Sequence, residues 1–162
     1  MTVVVAVAAL VGVLALATVI GLLLRARTGR ARPAGASAAS VTRTRSTDAD
    51  RTADLARPDE FGTRATLVQF STPTCARCPA TRRQLDAVAT QHDGVERVEI
   101  DLAERPDIAR RFDVMQTPTI LLLDERRAVR TRFGGPPRPA ELTAALASVL
   151  DRSEITADQE SR

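Results

Sequence analysis

The chain of 162 residues has no tryptophan and no tyrosine, four phenylalanines, two cysteines and one histidine. It also lacks lysine, its 23 basic residues all being arginine. That excludes a Schiff-base amine, a phosphate-loop ammonium and an amine turned into a proton acceptor by burial. Two cysteines and His92 fall short of the four ligands of an ordinary structural zinc site, and no other metal site is expected. A disulfide-dense scaffold is excluded as well, because two cysteines make at most one bridge. The formal net charge of +3 is small and sits partly beside an apolar segment, so nucleic acid is not expected as a partner. This length bounds the chain to one modest domain plus appendages.

Val3 to Leu24 is aliphatic apart from Gly12, Thr18 and Gly21. As a helix the run would reach about 33 Å, enough for a hydrocarbon core of roughly 30 Å. It has no polar face of the kind a soluble core helix shows. A cleaved signal peptide normally carries a basic region before a shorter apolar stretch, whereas here Arg25, Arg27, Arg30 and Arg32 follow the run. The expectation is a transmembrane helix within residues 1–24, contacting the membrane through residues 3–24. The basic flank then places the rest of the chain on the cytoplasmic side, with the extracytoplasmic orientation as the alternative.

Residues 25–60 are rich in Ala, Arg, Ser, Thr and Asp and poor in large apolar side chains, which predicts a flexible linker. Residues 151–162 are expected to be a disordered tail. Folding information is concentrated in residues 61–150. Ala65 to Phe70 and Val95 to Ile100 read as strands, the second by its period-two alternation, with a helix over Ala80 to Gln91 between them. A connection of that length makes neighbouring strands parallel. A short helix over Asp107 to Phe112, a buried strand at Thr119 to Leu123, a hairpin strand over Arg127 to Phe133 and a last helix over Pro139 to Leu150 complete the order β-α-β-α-β-β-α. His92, before Asp93-Gly94, is expected to be solvated or to cap a helix C-terminus, and Met115 to pack near the Thr117-Pro118 turn.

Cys75-Ala76-Arg77-Cys78 falls at the junction of the first of these strands and the helix after it, where a Cys-x-x-Cys reads as a redox motif. Helix-terminal N–H groups and the Arg77 cation favour a thiolate on Cys75, and the two-residue spacing lets Cys78 resolve a mixed disulfide. A structural disulfide, half of an intermolecular zinc site and two inert buried thiols are the competing readings.

The segment FSTPTCARCPATRRQL, the Thr117-Pro118 dipeptide before TILLL and the closing hairpin and helix resemble the thioredoxin family over about Phe61 to Leu150. The resemblance implies an α/β thioredoxin fold, here following the expected transmembrane helix. It also implies a cis peptide at Thr117-Pro118, although X-Pro bonds are more often trans, and a role for both residues in docking extended substrate. Departures from the family stand at Thr74, where thioredoxins have tryptophan, and at Gln69, where they bury an acid that assists the second cysteine. Ala76-Arg77 replaces Gly-Pro. The arginine- and alanine-rich, lysine-free composition resembles proteins of high-GC bacteria such as actinobacteria.

The function expected on these grounds is a membrane-tethered thiol-disulfide oxidoreductase. Cys75 and Cys78 are its catalytic residues, Thr117 and Pro118 bind substrate, and Arg77 and Gln69 tune the pair. It needs no cofactor, acts on a disulfide-containing protein and depends on a separate redox partner. The alternatives are an extracytoplasmic tethered thioredoxin for disulfide exchange or cytochrome maturation, and a non-catalytic interaction module of the same fold.

Overall fold

The computed structural model describes the backbone of residues 2–27, 31–33 and 48–160, and the side chains of residues 7, 10–22 and 50–154. Five strands form one sheet: β1 (Ala31–Pro33), β2 (Ala65–Ser71), β3 (Val95–Asp101), β4 (Thr119–Asp124) and β5 (Val129–Gly134), in the order β1-β5-β4-β2-β3. The helices are α1 (Thr2–Arg27), α2 (Asp48–Thr52), α3 (Cys78–Ala89), α4 (Pro106–Arg111) and α5 (Pro139–Glu160). From β2 onward the element order is the expected β-α-β-α-β-β-α. Strands β2 and β3 run parallel, with Val68 opposite Val98, as the intervening helix requires. Antiparallel pairing joins β2 to β4 and β4 to β5.

The burial pattern follows position in the sheet. Interior strand β2 is buried along its whole length, whereas edge strand β3 buries Val95, Val98 and Ile100 and leaves its other residues more exposed. Ala65 and Leu67 of β2 join Ile120 and Leu122 of β4 in one core, completed by Leu85 of α3 and by Leu142 and Leu146 of α5. Val68 and Phe70 point the other way, with Leu121 and Leu123, into a second core holding Ile108, Phe112, Leu55 and Phe61. Successive side chains on a strand alternate faces, so Gln69 shares the first face, the one covered by α3. Gly62 is held at a close approach: a Cβ there would stand 2.6 Å from the Gly94 carbonyl oxygen and 2.8 Å from the Glu96 nitrogen.

Several expectations are corrected. Helix α1 covers the aliphatic run on which the membrane crossing was expected. Among the described residues, no helix is long and apolar enough to cross a membrane. The transmembrane helix, the membrane contact through residues 3–24 and the tether built on them are therefore withdrawn. The sidedness inferred from the arginine flank, cytoplasmic or extracytoplasmic, loses its basis with the crossing.

Residues expected as linker also carry structure. Strand β1 pairs with β5, Ala31 opposite Phe133. Thr52 and Leu55 are buried, and the Thr52 hydroxyl donates to the Arg127 carbonyl at 3.0 Å. The Arg111 guanidinium hydrogen-bonds the Asp54 carboxylate, and Arg51 lies 5.3 Å from the Phe112 ring centroid. These contacts come from across the fold, which is why the local composition did not disclose them. Helix α5 continues to Glu160, past the boundary at Leu150.

Candidate active site

The chain leaves the sheet at Ser71, and the next ten residues build the site. The Cys75 N–H donates to the Thr72 carbonyl at 3.0 Å and the Cys78 N–H to the Cys75 carbonyl at 3.2 Å, so two consecutive turns lead into α3. Pro79 occupies the first helical turn, where its missing N–H costs little. The Arg77 carbonyl accepts both the N–H and the hydroxyl of Thr81, each at 3.1 Å. Cys75 therefore stands just before the helix, and Cys78 is its first residue.

A disulfide joins Cys75 to Cys78, with their Cα atoms 5.5 Å apart. The two sulfur-bearing residues differ in access. Cys75 is half-buried, whereas Cys78 is only 3 % exposed. Beneath Cys78, fully buried Gln69 donates its Nε2 to the Cys78 carbonyl at 3.2 Å. The Gln69 Oε1 has no hydrogen-bond partner among the described residues.

Two further loops adjoin the cysteine turn. The Thr117-Pro118 peptide is cis, Pro118 is buried and Thr117 is half-buried. The hydroxyls of Thr72 and Thr117 lie 3.3 Å apart, within hydrogen-bond reach. The Gly135 N–H donates to the Pro118 carbonyl at 2.9 Å, and the Gln84 side-chain amide of α3 donates to the Pro137 carbonyl at 3.1 Å. Segments 72–81, 114–118 and 134–137 are thereby tied together. Thr72 and Gln84 were not singled out in the sequence, since their partners stand far off along the chain. Met115 does not pack against the turn as expected but is 91 % exposed. His92 does cap its helix, its Nδ1 lying 2.9 Å from the Val88 carbonyl as the Nδ1–H tautomer would place it.

Charges beside the site are mostly paired with one another. Glu99 accepts from Ser71 at 2.8 Å, from Arg82 at 2.7 Å and from Arg97 at 3.3 Å. Burial opposes ionisation of Glu99, yet the hydrogen bonds from Arg82 and Ser71 and the charges of Arg82 and Arg97 outweigh it, so its carboxyl lies below the usual range. Arg97 also pairs with Asp86 of α3, completing a brace between that helix and β3. Arg77 is exposed and has no ion pair or side-chain hydrogen bond among the described residues.

The family profile described as Thioredoxin matches residues 52–148. The chain belongs to the thioredoxin family. It is 32 % identical over 78 residues to a thioredoxin of Methanocaldococcus jannaschii, covering 48 % of this chain and 86 % of that one. It is 31 % identical over 90 residues to a thioredoxin of Alicyclobacillus acidocaldarius, covering 55 % and 85 %. A thioredoxin of Streptomyces clavuligerus is 31 % identical over 77 residues, covering 47 % and 71 %. With a disulfide-forming Cys-x-x-Cys inside a thioredoxin fold, the protein is a thiol-disulfide oxidoreductase. The matched span starts at Thr52, so this thioredoxin domain takes in Leu55 and Phe61, two residues of its second core.

Proposed function

We propose that the reduced protein acts on protein disulfides, with Cys75 attacking and Cys78 resolving. The supporting observation is the unequal access of the two cysteines. A sulfur that must meet a disulfide on another molecule has to reach the surface, and Cys78 is nearly sealed whereas Cys75 is not. The Cys75 thiolate displaces one substrate sulfur and forms a mixed disulfide. Cys78 then loses its proton and attacks the Cys75 sulfur, closing the intramolecular disulfide and releasing the second substrate thiolate. Two electrons pass to the substrate, and a separate dithiol reductant restores the pair.

Thr117 and Pro118 shape the docking surface in this reading. The Thr72–Thr117 contact ties their loop to the turn carrying Cys75. Arg77, standing between the cysteines, stabilises the thiolate, which favours the reduced pair and raises the potential. Gln69 lies under Cys78 but is a neutral amide that cannot take a proton as a carboxylate would. The test is insulin reduction by the full chain together with trapping of intermediates. Cys78→Ser should accumulate a covalent complex with substrate through Cys75, and Cys75→Ser should form none. Equal trapping through either cysteine would overturn the assignment of roles, and no reduction by the wild-type chain would leave an interaction module of the same fold.

A further inference from the structure

The three tied segments around the disulfide form an almost uncharged surface. Residues 72–81 read TPTCARCPAT, residues 114–118 VMQTP and residues 134–137 GGPP. Apart from the cysteines, Arg77 is the one ionisable side chain in these segments. It is exposed and has no ion pair or side-chain hydrogen bond among the described residues. Of the charges nearby, Arg82 is paired with Glu99 and the Asp101 carboxylate accepts from the Ala103 N–H at 2.8 Å, while Arg83 of α3 is exposed and without an ion pair among the described residues but lies outside these segments. Asp113, also exposed, stands just outside the second segment.

We propose that Arg77 is a specificity-determining residue that selects disulfides flanked by carboxylates, so that the preferred protein substrates carry Asp or Glu beside the attacked cysteine. The proposal rests on the oxidoreductase reading of the same site. Its physical basis is position: Arg77 stands between the two cysteines in the chain, exposed on the turn that carries Cys75, so a carboxylate beside the attacked disulfide docks on the same turn as its guanidinium. A planar fork with free donors pairs with a carboxylate in two hydrogen bonds, and no internal acid has to be displaced first. Exposed Met115 and the small neutral side chains of Thr74 and Ala76 offer no competing charge. In exchange with such a disulfide, Cys75 takes one half as a mixed disulfide and the other leaves as a thiolate. Closure by Cys78 then releases the second half, and the dithiol reductant named above resets the enzyme.

The experiment uses small disulfides of similar skeleton that differ in charge: dithiodipropionate with two carboxylates, bis(2-hydroxyethyl) disulfide with none, and cystamine with two ammonium groups. Values of kcat/KM for the full chain are measured with dithiothreitol as reductant at low and at high salt. An effect of Arg77 on Cys75 acidity multiplies all three rates alike and cancels in their ratios, so the ratios isolate substrate charge. Arg77→Ala should lower the dithiodipropionate-to-cystamine ratio by about two- to fivefold at low salt, Arg77→Glu should lower it further, and high salt should shrink both effects. A ratio unchanged in both variants would overturn the charge selection while leaving the oxidoreductase intact. Failure of the wild-type chain to reduce the uncharged disulfide would overturn the activity itself and the proposal with it.

Discussion

The side-chain amide of Gln69 is hydrogen-bonded to the carbonyl of Cys78 at 3.2 Å, in a fully buried position on β2. This contact couples the first residue of α3 to the sheet. It places beside Cys78 a neutral amide, which cannot take a proton as a carboxylate would.

Gln69→Asp should therefore speed closure by Cys78. General-base assistance is worth upward of about a hundredfold where geometry is good, and an increase of about tenfold or more is expected for a group not built for the task. Single-turnover release of the second substrate thiol measures this step directly. An unchanged rate would show that Gln69 does not limit it.

Arg77 should make the dithiol a weaker reductant than a thioredoxin with a potential near −270 mV. Arg77→Ala is expected to lower the potential by up to about 20 mV, equivalent to the roughly 1 kcal/mol available to an exposed charge pair. Equilibration with dithiothreitol or glutathione buffers reads the shift. A wild-type value at or below about −270 mV would remove Arg77 as a tuning residue.

Leu55 tests whether the segment before Phe61 belongs to the folded unit. It is buried with Phe61, Val68 and Phe112. Leu55→Ala should cost about 2–5 kcal/mol in equilibrium unfolding by urea. A loss within the scatter of surface substitutions would return the segment to the status of a linker.

Asp54 gives the fold an acid-sensitive clasp. The hydrogen bond from Arg111 holds its carboxyl below the ordinary value, with the charges of Arg111 and Arg105 adding to the effect against desolvation. Because folding lowers this pKa, the stabilisation is fully present above the unfolded value near about pH 4 and is lost as pH falls through the lower folded value. Asp54→Asn should reduce stability at neutral pH by no more than about 1 kcal/mol, since the pair is half exposed. The difference between variant and wild type should shrink as the pH falls below the unfolded value near about 4 and vanish once the lower folded value is passed, which urea midpoints across the pH range would show.

Much of the fold from residue 65 onward was legible because its signals are local. The buried run of β2, the leucine stripe of α5 and the Cys-x-x-Cys at a strand-helix junction are each short-range patterns; β3 was also placed, although its burial does not keep the period of two expected for it. The N-terminal region was misjudged in both directions. The aliphatic run led to the expectation of a membrane crossing, whereas no described helix meets the requirement, and a composition typical of linkers hid Thr52 and Leu55 in the second core.

The amino-acid sequence by itself determined which residues could do redox chemistry, through two cysteines at a helix start and the lack of lysine or a metal-ligand set. It also determined the order of strands and helices, because side-chain periodicity and turn residues act over a few positions. Tertiary structure decided how far the two cysteines differ in access, that the Gln69 amide bonds the Cys78 carbonyl and that Thr117 meets Thr72. It also gave Arg82 an acid and Arg77 none among the described residues. Those outcomes depend on chain segments brought together by burial, with partners tens of residues apart, and no local pattern records such a pairing.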